Sequence, residues 1–158
     1  MQGFASSLDR KILQDRRRVT PYLRGMTHQE IVREIYDRFA RGDAKGVLAH
    51  FDSSIEFRLA EGHPYQRDGK PFIGKGAVVE GFFVKAGQEW AEWRVEATSF
   101  LEATGAVIVE CRYRGIYKPT GRALDLQVCH LFRFDGDKVK SFHQYVDTAR
   151  LQAVMNRD

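Results

Sequence analysis

A chain of 158 residues, 43% hydrophobic and 29% charged, has the size and composition of one soluble globular domain with a core of its own. Its formal charge of +4 lies in the first 25 residues, which hold six Lys/Arg and two Asp/Glu, while the remainder carries 19 of each sign. A neutral folded portion argues against nucleic acid as a partner. The absence of any apolar run near the ~18 residues of a membrane span, or of an apolar leader, argues for no membrane partner and a cytoplasmic location.

Residues 1–25 read as a basic N-terminal extension, in which Ser7 could cap a short helix using Leu8, Ile12 and Leu13 ahead of Pro21. The domain proper is expected over 26–158. Thr27-His-Gln-Glu30 matches a capping box, and Ile31, Val32, Ile35, Tyr36 and Phe39 then recur at helical spacing up to Gly42. A second short helix is expected to carry Val47, Leu48 and Phe51. The period then changes to two: Ile55, Phe57 and Leu59 alternate with Glu56 and Arg58, as in a half-buried strand. Residues 61–74, with three Gly and two Pro, read as a long loop, a place where function often resides. Gly76 to Lys85 reads as a third helix.

Beyond Gln88 the pattern is β, with strands expected near 90–102, 105–118, 123–134 and 138–146. They are separated by turns at Glu102–Gly105, Pro119–Gly121 and Asp135–Asp137. Val107, Val109, Cys111 and Tyr113 share one face, as do Leu126, Val128, His130, Phe132 and Phe134. Asp147 is placed to cap a closing helix through Leu151 and Val154. Helices followed by an antiparallel meander define an α+β class. The outer face of the meander, with His143 and Tyr145, is suited to a second copy of the chain, and a homodimer is expected. Cys111 and Cys129 and five scattered histidines form no ligand-spaced cluster, and no phosphate-cradling glycine motif occurs, so neither metal nor cofactor is expected.

The run Tyr36-Asp-Arg-Phe39-Ala-Arg-Gly-Asp43, then Val47-Leu-Ala-His-Phe51, Phe72-x-Gly74, Phe134-Asp-Gly136-Asp-Lys-Val139 and Tyr145-Val-Asp147 resembles the SnoaL-like, ketosteroid-isomerase-like branch of the nuclear-transport-factor-2-like superfamily. The resemblance covers about residues 27–155. It implies a cone-shaped, curved mixed or antiparallel sheet packed on three to four helices, enclosing a pocket for a small hydrophobic ligand, usually in a dimer. It does not imply one chemistry, since isomerases, cyclases, epoxide hydrolases and binding modules share the fold.

Carried over residue by residue, the carboxylate base of the isomerases falls on Leu59, their protonated Asp on His130, and their Tyr near Ile35, one residue from Tyr36. The SnoaL-type cyclases keep a histidine that corresponds to His130, but their acid/base Asp corresponds to Gln144, which cannot titrate. The candidate catalytic set is therefore His130, Gln144, Tyr36 and Glu61, the last reaching in from the rim in place of the missing base. Leu59, His63, Tyr65, Cys111, Tyr113, Val128, Phe142 and Trp93 are the candidate ligand contacts. Each has a plainer alternative: His130 as a buried imidazole satisfied by backbone or water, Gln144 as an amide bonded to it, Tyr36 and Trp93 as core aromatics, Glu61 as a solvated loop residue. Two classes of function follow. One is a cofactor-independent acid/base enzyme acting on a carbonyl, epoxide or polyketide-like molecule. The other is a non-catalytic binding or carrier module with the same pocket.

Overall fold

In the computed structural model residues 25–66 and 68–156 are described, so the basic extension and the helix expected at Leu8, Ile12 and Leu13 lie outside the described residues. Helix α1 (His28–Ala40) starts on the expected capping box, with Thr27 and Glu30 bonding each other's backbone amides at 3.2 and 2.7 Å. Its buried stripe is Ile31, Val32 and Ile35. His28 Nε2–H donates to the Gly136 carbonyl at 2.8 Å, and its ring stacks on Phe134. These contacts pin the start of α1 to a hairpin of the sheet. Gly42, at φ +73°, takes the left-handed turn that L side chains resist, and α2 (Ala44–Ala49) follows, capped by Asp43.

Phe51, expected on that second helix, instead opens strand β1 (Phe51–Arg58). The Val139 amide captures the His50 carbonyl at 2.9 Å, which draws the chain into the sheet one residue after the helix. The expected loop after β1 contains a two-residue strand, β2 (Phe72–Ile73), antiparallel to β1. Helix α3 (Lys75–Val78), a π-helical turn (Val79–Phe83) and α4 (Val84–Glu89) form one helical run, longer than the sequence pattern implied. The widened turn carries both Phe82 and Phe83 toward the interior, which an undisturbed α-helix would splay by about 100°.

The four remaining strands, β3 (Trp90–Ala103), β4 (Ala106–Tyr117), β5 (Arg122–Asp135) and β6 (Lys138–Val146), match the expected meander within one or two residues. They form one open, curved, six-stranded sheet in the order β2-β1-β6-β5-β4-β3, with β1 parallel to β6 and the other pairs antiparallel. Helix α5 (Thr148–Met155), capped by Asp147, buries Leu151 and Met155. The helices and the inner face of the sheet enclose one apolar core. No helix among the described residues is long and apolar enough to cross a membrane.

One irregularity in β3 positions the site. Trp90 and Trp93 are three residues apart, so a regular strand would send them to opposite faces. The register slips between Ala91 and Arg94, and Glu92 adopts φ +52°, a left-handed conformation unusual for a residue with a side chain. The bulge turns Trp93 inward beside Trp90, their rings 4.9 Å apart. Gly115 on β4 leaves room beneath, since a Cβ there would come 3.1 Å from Trp93 and 3.3 Å from Trp90. Glu92→Gly should therefore raise stability by up to about 1 kcal/mol, while the β-branched Glu92→Val should lower it. Thermal denaturation followed by circular dichroism checks both, and equal melting temperatures for the two variants would refute the assignment of strain at this bulge.

Candidate functional site: an apolar cavity over a buried imidazole

Side chains from α1, α2, the π-helical turn and five strands wall a cavity of about 60 Å³. Most of its wall is aromatic, with Phe39, Phe57, Phe82, Phe83, Phe132 and Phe142 prominent. Among the described residues that line it there is no Asp, Glu, Lys or Arg. Its polar atoms come from Tyr36 on α1, Tyr113 on β4 and His130 on β5.

These three groups form one hydrogen-bonded chain. The Tyr36 hydroxyl lies 2.5 Å from His130 Nδ1, and the Tyr113 hydroxyl 2.6 Å from His130 Nε2. Gln144 on β6, directly opposite His130 in the register, donates from Nε2 to the Tyr113 oxygen at 2.9 Å. His130 is 4% exposed, and burial depresses its pKa to about 3, so the ring is neutral near pH 7. A neutral imidazole offers one N–H and one lone pair. With the Tyr113 oxygen accepting from Gln144, the arrangement that satisfies both ring nitrogens has Tyr113 donating to Nε2 and Nδ1–H donating to Tyr36. The Tyr36 proton then turns to Cys111 Sγ, a weak acceptor. Burial raises the pKa of Tyr36 and Tyr113 and pushes the Cys111 thiol up to about 12, so the whole chain is uncharged at neutral pH.

A second, smaller chamber of about 10 Å³ lies across Tyr113, Phe82 and Trp93 from the first, and His63, Tyr65, Gln144, Leu151 and Met155 also line it. An open groove of about 320 Å³ shares Phe39 and Phe83 with the main cavity, Trp90 and Ala86 with the second chamber, and Trp93 with both. The Phe39 and Phe83 rings, 6.2 Å apart, stand between main cavity and groove.

The structure thus groups Tyr36, Tyr113, His130, Phe142 and Trp93 on the main cavity, and His63, Tyr65 and Gln144 on the second chamber. Leu59 (2% exposed), Cys111 (5%) and Val128 (5%) are buried core residues that line neither space. Glu61 is exposed and lines neither space, and its turn is tied to α5 by Gln152 Nε2 donating to the Gly62 carbonyl at 2.7 Å. Tyr65 donates its hydroxyl proton to Glu89 at 2.6 Å, anchoring the loop to α4. Gln66, which sequence reasoning passed over, is 4% exposed and accepts from the Leu59 amide at 2.8 Å, fastening the same loop to the end of β1. The phenylalanines of the wall were visible in the sequence only as core, since nothing in their spacing separates a cavity wall from a filled interior.

The SnoaL-like domain model matches residues 32–142, and the chain belongs to that family. Among solved structures it is similar to an NTF2-like protein from Burkholderia thailandensis E264 (26% identity, 84% of this chain and 100% of that one, TM-score 0.78). TerC, co-crystallised with polyporic acid, is similar at 19% identity over 81% of this chain and 98% of that one, TM-score 0.72. A protein from Catenulispora acidiphila DSM 44928 with a ketosteroid isomerase-like fold, in complex with trimethylamine, is similar at 17% identity over 79% and 91%, TM-score 0.66. The last two likenesses show the fold alone. A comparison with curated proteins finds none that matches.

His63 is also neutral in the fold, its pKa depressed to about 4 by burial. For both histidines the folded pKa lies below the ordinary 6.5, so the unfolded chain binds more protons between those values. Their contribution is complete above about pH 6.5 and declines as pH falls, at a slope of about 1.4 kcal/mol per pH unit for each histidine. Urea unfolding at about pH 7.5 and about pH 5 should show a lower midpoint at the acidic value. His63→Gln should make that drop shallower. An unchanged drop in the variant would show that His63 is not held neutral.

Proposed function

We propose that this protein binds a small, largely apolar molecule bearing one oxygen function, its body among the cavity phenylalanines and its oxygen on the Tyr36 hydroxyl. The observation that carries this reading is the Tyr36 hydroxyl at the edge of an apolar cavity: with His130 Nδ1–H donating to its oxygen, the acceptor left for its proton is the Cys111 sulfur. A ligand carbonyl or hydroxyl oxygen is a far better acceptor. The reading is of binding or carriage rather than turnover. An imidazole with a pKa near 3 is a poor base at neutral pH, and a tyrosine with a raised pKa is a poor acid, whereas acid/base catalysts are tuned toward neutrality. The positions where related enzymes keep carboxylates hold Leu59 and Gln144.

The cavity of about 60 Å³ is small beside the about 300–1,000 Å³ of drug-sized pockets. A ligand larger than a few heavy atoms extends past Phe39 and Phe83 into the groove. An acid/base enzyme remains the second reading, favoured by the continuous chain Gln144–Tyr113–His130–Tyr36, along which protons could be exchanged. Residues 26–158 form the binding domain in this reading. The outer sheet face pairs two copies: Leu101 and Tyr145 are about half exposed there, beside a shallow concavity that also includes Ile108 and Cys129.

Both tryptophans of the chain border the groove, so intrinsic fluorescence reports occupancy. Cyclohexanone should bind more tightly than methylcyclohexane, and Tyr36→Phe should weaken the ketone about tenfold, as expected for one hydrogen bond of about 1–1.5 kcal/mol, without affecting the hydrocarbon. Equal affinities, or a ketone affinity indifferent to Tyr36, would remove the basis of the reading. In the same samples the α-hydrogens of the ketone should exchange with deuterated buffer no faster than in buffer alone; accelerated exchange lost in His130→Gln would establish the enzyme reading instead. Sedimentation equilibrium should give a dimer that Tyr145→Arg dissociates, and a monomeric parent would dismiss the pairing.

A further inference from the structure

The second chamber is lined by two side chains that each have a polar atom without a hydrogen-bond partner among the described residues. One is Gln144 Oε1, on a side chain 1% exposed whose Nε2 is committed to Tyr113. The other follows from His63, 4% exposed. Its Nδ1 accepts the Tyr65 backbone N–H at 3.1 Å, so Nδ1 carries no proton. A neutral ring protonated elsewhere must be protonated at Nε2. Because Nδ1 is turned back to its own loop, the ring presents its opposite edge, with Nε2–H, to the chamber it lines. The chamber is thus bordered by one unpaired acceptor, fully buried, and one unpaired donor. Leaving the buried acceptor unpaired is costly. At about 10 Å³ the space admits a single oxygen with its hydrogen, near the lower bound for one water.

We infer that this chamber is a binding site for one O–H group, which donates to Gln144 Oε1 and accepts from His63 Nε2–H. A ketone or ether oxygen has no proton for Gln144, and an ammonium or amide N–H has no lone pair for His63. The site is therefore specific for an oxygen that both gives and takes. Two sources share that chemistry: a resident water, and the hydroxyl of a ligand lodged in the groove, which borders the chamber at Ala86, Trp90 and Trp93. The site goes beyond the ligand reading of the main cavity, because it concerns different atoms behind Tyr113 and its water arm needs no ligand at all.

Three measurements on the full chain test it. A long-range ¹⁵N–¹H spectrum of the unmodified protein should show His63 as the Nε2–H tautomer. High-resolution crystals grown without additive should show one water within hydrogen-bond distance of both His63 Nε2 and Gln144 Oε1, and Gln144→Met should lose it. Crystals soaked in phenol separate the sources. If the phenol hydroxyl takes the water's place, the site belongs to a ligand; phenol should then bind at least tenfold more tightly than toluene, with the difference gone in Gln144→Met. If the water stays, the site is a resident-water site. An Nδ1–H tautomer, or a chamber with no oxygen bonded to both atoms in either crystal, overturns the inference. Neither result bears on whether cyclohexanone binds at Tyr36, so the two readings fail separately.

Discussion

The clamp on His130 is the constraint on which the rest of this structure depends. An imidazole in the middle of an apolar core loses several kcal/mol of hydration unless both nitrogens are paired. Here the partners come from two other elements, Tyr36 on α1 and Tyr113 on β4, and Gln144 on β6 completes the line. Apolar packing is non-directional and would tolerate α1 sliding or rolling on the sheet. A hydrogen bond between the helix and the middle of β5 does not. The clamp therefore sets how α1 sits over the sheet, and with it which residues of α1 can wall the cavity. His28, bonded to the Gly136 carbonyl, fixes the other end of the same helix.

Neutrality is the chemical consequence. Each member of the chain has its pKa driven away from pH 7 by burial: the imidazole downward, the phenols and the thiol upward. A carboxylate among them would alter that balance, since a buried negative charge would hold His130 protonated. Gln144 supplies hydrogen-bonding capacity while adding no charge. The interior is polar without being acidic or basic, which suits it to orienting an oxygen rather than to moving a proton from carbon.

The sequence made much of this legible, and the limits have physical causes. Alternation along 126–132 puts His130 on the inner face; Gln144 lies on a strand whose register the sequence leaves open by one residue, and the structure pairs the two directly. The capping box at Thr27 and the cap at Asp147 were readable because caps are local chemistry. Phe51 was misread because helix and strand periods agree over one or two residues, and a bond from a distant strand decided the boundary. Trp93 is turned inward by a bulge at Glu92, a residue with no intrinsic preference for the conformation it adopts. Tyr113 was named as a contact, but its place as the wall between two chambers depends on Phe82 and Trp93, brought there by a π-helical turn and that bulge.

Those same two irregularities explain why the interior is nearly full. A regular α-helix over 75–89 would bring one of Phe82 and Phe83 to the cavity, and a regular β3 would send Trp93 to the outer face. With both distortions in place, two additional rings crowd a space that the fold alone would leave open, reducing it to about 60 Å³. The groove of about 320 Å³ lies on the other side of Phe39 and Phe83. In the binding role proposed above, ligand size would be governed less by the sheet than by the rotamers of two phenylalanines, whose side chains have few polar ties to break. The clamp at His130 stays rigid beneath them, since moving it would unpair a buried imidazole. The polar end of the cavity is set by hydrogen bonds and the apolar end by packing, so in the proposed role the oxygen chemistry of a ligand would be specified more tightly than its shape.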